Sequence, residues 1–192
     1  MRKISAIFIA LLFAIPSVAL AHTNGTVHSD FMHGFTHPLG GFDHLLAMVA
    51  VGIWGAQIGG RAIWVLPSLF VIALVLGGAL GLSGIVLPFI ESGIIASVLI
   101  LGVMIATASK LPLVVSSSIV AIFAIFHGSA HGAEMPASIS AAWYAIGFAM
   151  ASALLHFSGM GIGSLLKKDK KLIISRVTGS VITLLGVYLA IA

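Results

Sequence analysis

The sequence predicts an all-α, polytopic integral membrane protein: a six-transmembrane-helix bundle behind a cleavable signal peptide. Three observations carry that prediction. Of the 192 residues, 60% are hydrophobic and 7% are charged, with a mean hydropathy of +1.21; a soluble domain carries roughly 25% charge. The few charges are spaced so that apolar runs of crossing length lie between them. The amino terminus has the tripartite pattern of an export signal. A water-soluble globular protein is excluded, because 14 charged side chains, Lys+Arg 9 and Asp+Glu 5, cannot solvate its surface.

Arg2 and Lys3 precede the apolar run Ile4 to Ile15, followed by Pro16 and the small-residue site Ala19-Leu20-Ala21. Residues 1–21 are therefore expected to be a signal peptide, and the run is short for a membrane span. An uncleaved first helix is the alternative, and both readings put residue 22 outside. Residues 22–37 then form a periplasmic His-containing segment and residues 38–192 the transmembrane domain. Export of this kind points to the cytoplasmic (inner) membrane of a bacterium.

The spans are expected at about 38 to 58, 63 to 82, 92 to 109, 111 to 131, 138 to 162 and 172 to 192, long enough or nearly so to cross roughly 30 Å of hydrocarbon at about 1.5 Å per residue. Lipid offers the backbone no hydrogen bonds, so each is a helix. With residue 22 outside, Arg61, Lys110 and Lys167-Lys168-Asp169-Lys170-Lys171 all fall in cytoplasmic loops, and the outer loops near 83 to 91 and 132 to 137 lack Lys and Arg. Both mature termini are then periplasmic. Trp54, Trp64, Trp143 and Tyr144 lie where interfacial aromatics belong. Arg176, one turn into the last span, can snorkel to the cytoplasmic surface. Glycines four apart, at 55/59, 77/81, 128/132 and 159/163, suit close helix packing.

No cysteine is present, so a metal site must use imidazole, carboxylate or thioether. The segment HPLGGFDHLLAM puts Asp43 and His44 inside or at the edge of the hydrocarbon, where a carboxylate is costly and by default functional. In a helix starting at Pro38, a residue suited to the first position, His37, Gly40, Gly41, His44 and Met48 would share one stripe. The second constellation is FHGSAHGAE: His127, His131 and Glu134 share a face if the helix persists through Gly128 and Gly132. Those glycines weaken the helix, yet they clear space for a neighbouring helix or a metal. Both groups lie toward the outer face. Four imidazoles and two carboxylates suit a divalent transition metal, which would neutralise Asp43 and Glu134.

His156 stands alone and deeper, a ligand on an exit path or a packing histidine. Glu91, beside Pro88 and Gly93, reads as a solvated loop end. The exposed tract from His22 through His28 and His33 to His37, with Asp30 among them, reads as metal capture.

HPLGGFDHLLAMVAVG resembles the first-span signature of the HupE/UreJ family, and FHGSAHGAE resembles that family's second His-rich motif, within a likeness covering essentially the whole chain. The resemblance implies a nickel permease, with cobalt next, and no prosthetic group. It implies that His37, Asp43, His44, His127, His131 and Glu134 matter for transport, with His156 in LLHFSGMGIG at a further family position. Met48, His156, His22, His28 and His33 remain secondary candidates. A divalent metal ion and the lipid bilayer are the expected partners, nucleic acid is not, and a homo-oligomer is compatible with the bundle. With no Gly-rich loop ending in Lys-Ser or Lys-Thr, no nucleotide is expected to drive the step.

The rival reading is an intramembrane His-ligated metalloenzyme, a hydroxylase or hydrolase, since HGSAH has the HxxxH form. Against it stand the absence of HExxH with its general base, the absence of an adjacent histidine pair, and the outward position of both clusters. No enzymatic activity is expected.

Overall fold

The computed structural model describes residues 27–85, 87–166 and 172–192, and all regular structure among them is helical. The expected signal peptide, His22 and the Lys167–Lys171 cluster lie outside the described residues. Seven helices follow in order: α1 (Val27–Gly40), α2 (Phe42–Ile58), α3 (Ala62–Leu82), α4 (Ile90–Ala106), α5 (Leu113–Glu134), α6 (Ala141–Leu166) and α7 (Leu172–Ile191).

By length and composition α3, α5, α6 and α7 can each cross a membrane, and α1 with α2 passes the same test as one span bent by 83°. The 17-residue α4 is apolar but shorter. The exterior confirms the solvent: Ile72, Leu76, Val114, Phe157 and Leu184 are all more than half exposed, an arrangement that only lipid tolerates on this scale.

The first span differs from the expected one. Pro38 does not start a helix; it lies buried inside α1, and the chain breaks two residues later. The helix runs past Pro38 and stops at Gly40-Gly41, two successive residues of poor helix propensity. Gly41 is extended (φ −103°, ψ 119°) and α2 begins anew at Phe42. His37 and His44 are therefore not on one continuous stripe, although His44 and Met48 remain one turn apart on α2.

Residues 27–37, expected within an exposed tract, are only partly exposed. They form most of α1, which packs along α6. A Cβ at Gly34 would overlap the carbonyl of Tyr144, and one at Gly147 the carbonyl of Phe31, so two glycines let the helices touch backbone to backbone. Buried Asp30 accepts the backbone N–H of Ser140 at 3.0 Å, placing a carboxylate at the start of α6 where the helix dipole favours it.

The same device repeats through the bundle. α3 lies on α5, where a Cβ at Gly128 would overlap the Leu74 carbonyl and one at Gly81 the Ser129 carbonyl. α2 lies on α6 through Gly52 and Gly159, and α4 lies on α7 through Gly102 and Gly179.

The two ends of the bundle differ in chemistry. Gln57 at the end of α2 donates to the Ile105 carbonyl of α4 at 3.3 Å and to Ser175 of α7, while the Trp54 indole donates to the Ser109 carbonyl at 2.9 Å. Those contacts gather Arg61, Lys110 and the start of α7 at one end. Trp54 is consequently fully buried rather than interfacial, and Tyr144 is buried too, whereas Trp64 and Trp143 are exposed. The opposite end holds the α1/α2 break, the start of α4 and the end of α5.

Candidate metal site

At that opposite end a cavity of about 420 Å³ opens between α1, α2, α4 and α5. Its wall carries His33, His37, Asp43, His44, Glu91, His131 and Glu134 and, among the described residues, neither Lys nor Arg. Three of the chain's five acidic residues thus meet in one concavity.

The break at Gly41 builds the first half. Asp43 lies in the first turn of α2, and its Oδ1 accepts both the His44 backbone N–H at 2.8 Å and the His44 Nδ1–H at 2.6 Å. The carboxylate faces free N–H groups at a helix start, so the fold itself stabilises its charge. A Cβ at Gly41 would stand 2.8 Å from that Oδ1 and 3.0 Å from His44 Nδ1; only glycine leaves room for the pair to fold back.

The second half is α5, which runs unbroken through Gly128 and Gly132 to Glu134. The glycines that could have melted it instead receive α3. His127, His131 and Glu134 share the face turned toward α1 and α2. Glu134 Oε2 is 3.5 Å from His37 Nε2 and 4.0 Å from His131 Nδ1. One ligand atom from each of His37, His131 and Glu134 can be chosen with all three within 4.8 Å, a spacing that an ion of about 2.1 Å bond length can draw together.

Below this group the imidazoles continue inward. His131 lies 4.2 Å from His44 between ring centroids, and His44 lies 4.7 Å from His127. Phe70 follows, 5.8 Å from His127 and 4.8 Å from His156. His127 and His156 are 0% and 1% exposed, deeper than any solvated histidine.

Among the described residues, eight buried side-chain polar atoms have no hydrogen-bond partner, and five are imidazole nitrogens of His44, His127, His131 and His156.

The family model described as HupE / UreJ protein matches residues 9–189. The chain belongs to the HupE/UreJ family. Protein HupE of Rhizobium leguminosarum bv. viciae is 42% identical over 190 residues, covering 98% of this chain and 97% of that one. No solved structure matches.

Within this HupE/UreJ chain the remaining candidates separate. His33 is exposed and lines the cavity; His28 is exposed one turn and more away from it on α1. Met48 is fully buried in the apolar core, and its carbonyl accepts His156 Nδ1–H at 2.7 Å. Three residues escaped sequence reasoning. Glu91 is exposed as expected of a loop end, yet it also lines the cavity; its position opposite two intramembrane motifs was the available signal. Ser97, bonded to His127, and Gln57, in the polar cluster at the far end, carried no signal in a single sequence.

Proposed function

We propose that this protein is a secondary transporter that takes up a divalent transition-metal ion, nickel first and cobalt second, across the cytoplasmic membrane. The observation that carries the reading is the cavity wall: three carboxylates and four imidazoles with no Lys or Arg among the described residues, at the end of the bundle away from Arg61 and Lys110. Membership of the HupE/UreJ family supports it. Neutral imidazole with carboxylate is the donor set for nickel and cobalt, whereas magnesium or calcium would want oxygen alone.

In this account α2 through α7 make six crossings, with α1 lying against α6 on the outer side. The Lys and Arg positions support that orientation by the positive-inside rule, and the mature termini are then periplasmic. The ion is drawn in by Asp43, Glu91 and Glu134 and sheds water onto His37, His131 and Glu134. It then passes to His44 and His127, and leaves past Phe70 and His156. A broken helix at the binding site is a recurring device of secondary transporters, because interrupted backbone is tolerated where it lines a cavity. The lack of thiolate ligands suits cargo that must be released. The membrane potential, a coupled ion or trapping inside the cell supplies the drive.

The test is flux in proteoliposomes loaded with a metal-sensitive dye. Nickel or cobalt entering with the wild type, but not with Glu134→Gln, is the expected result. No flux of either ion, together with a tightly held di-iron centre in the purified protein, would replace this reading with the metalloenzyme.

A further inference from the structure

Helix α4 is hydrogen-bonded to the histidine stack through Ser97. Ser97 is fully buried; its Oγ donates to the Ile94 carbonyl at 2.6 Å and lies 2.9 Å from His127 Nε2 on α5. A carbonyl only accepts, so the shorter contact takes the hydroxyl's single proton. The Oγ lone pair then receives the His127 Nε2–H. A neutral imidazole has one N–H, which leaves His127 Nδ1 as a bare lone pair, buried and without a partner. The opposite assignment would strand a buried N–H donor with no acceptor and leave the Ile94 contact unused, the costlier arrangement.

His44 and His156 follow the same rule. The Asp43 carboxylate takes His44 Nδ1–H and the Met48 carbonyl takes His156 Nδ1–H, so each keeps an unpartnered Nε2. Three histidines on three helices are each held by an acceptor in the tautomer that frees one buried nitrogen.

We propose that Ser97 is a positioning residue for metal passage: it fixes the His127 ring and tautomer so that Nδ1 is the nitrogen offered to a divalent cation coming from His44, whose ring stands edge-on at 4.7 Å. The proposal rests on the transport reading above. An acceptor on the non-ligating nitrogen sets both the orientation and the basicity of an imidazole ligand, and its loss commonly costs 10–100-fold in metal affinity or activity.

The full chain, with isotope-labelled histidine nitrogens and embedded in lipid without metal, is examined by solid-state NMR; the His127 signals are those lost in His127→Asn. The expected spectrum has Nε2 protonated and Nδ1 bare in the wild type, a mixed or altered state in Ser97→Ala, and the wild-type state in Ser97→Thr. In uptake assays Ser97→Ala raises the KM for nickel about tenfold or more, and Ser97→Thr recovers it. A protonated Nδ1 in the wild type overturns the proposal even if neither variant folds. Wild-type uptake by a folded Ser97→Ala overturns it as well. A wild type that shows the assigned tautomer but moves no metal sinks the transport reading, and Ser97 then merely orders the core.

Discussion

The Glu134 carboxylate at the end of α5 lies 3.5 Å from the Nε2 of His37 on α1. This contact joins the two sequence motifs across the cavity, with the chain broken at Gly41 on one side and α5 unbroken on the other. The same carboxylate lies 4.0 Å from Nδ1 of His131, so an exposed acidic group stands beside a buried imidazole.

Replacing Glu134 by Gln keeps the shape and removes the charge. Uptake at sub-saturating nickel is expected to fall at least tenfold, with thermal unfolding in detergent unchanged within a degree or two. An unaltered KM would show that the carboxylate contributes nothing to capture.

Gly41→Ala tests the local packing of the Asp43 and His44 pair. The added Cβ, 2.8 Å from Asp43 Oδ1, must displace the carboxylate that orients His44. The expected outcome is impaired transport in a protein that still reaches the membrane; Gly40→Ala, where a Cβ meets nothing within 4 Å, should transport nearly as well as the wild type.

Gly128→Ala should act through stability. Its Cβ would overlap the Leu74 carbonyl of α3, and overpacking of this kind costs typically 1–3 kcal/mol. A lowered unfolding temperature is expected, measured beside the Ser118→Ala variant, whose hydroxyl only bonds back to Val114 of its own helix. Equal stability of the two would contradict the close crossing.

Protons compete with metal for imidazole nitrogen. Protonation removes a ligand and adds a positive charge, so uptake falls as external pH falls; burial holds His37 on α1 below the ordinary histidine value, so the loss sets in below that value and is reversed on returning to neutral pH. Initial rates independent of pH down to the acid limit of the fold would speak against imidazole ligation.

Much of this architecture was legible in the sequence because lipid permits few alternatives. Charge-free runs had to be helices, and the observed α3 (Ala62–Leu82) and α7 (Leu172–Ile191) nearly coincide with the expected 63 to 82 and 172 to 192. The meeting of the HPLGGFDH and FHGSAHGAE segments followed from topology. What escaped was set by tertiary contact. Pro38 suits a helix start, yet the chain places it inside the preceding helix and starts anew only after Gly40-Gly41. Residues 27–37 looked like a solvated tract because their polarity is high; Gly34, Gly147 and the Asp30 bond to Ser140 dock them nonetheless. Trp54 sat at the right depth for an interface, yet its indole N–H had an acceptor inside the bundle. Ser97 and Gln57 are small polar residues in apolar runs, and nothing but their partners distinguishes them from helix filler.

The central claim is that the cavity between α1, α2, α4 and α5 admits a transition-metal ion. Its most direct test is uptake of radioactive nickel and cobalt, separately and at sub-micromolar free metal, by cells lacking their own transporters. The cells express the wild type or His131→Ala at matched membrane levels. Uptake by the wild type that disappears in the variant is the predicted result, and the preferred isotope names the cargo. Uptake that persists in the variant would contradict the site, and negligible uptake of both metals by the wild type would contradict the function.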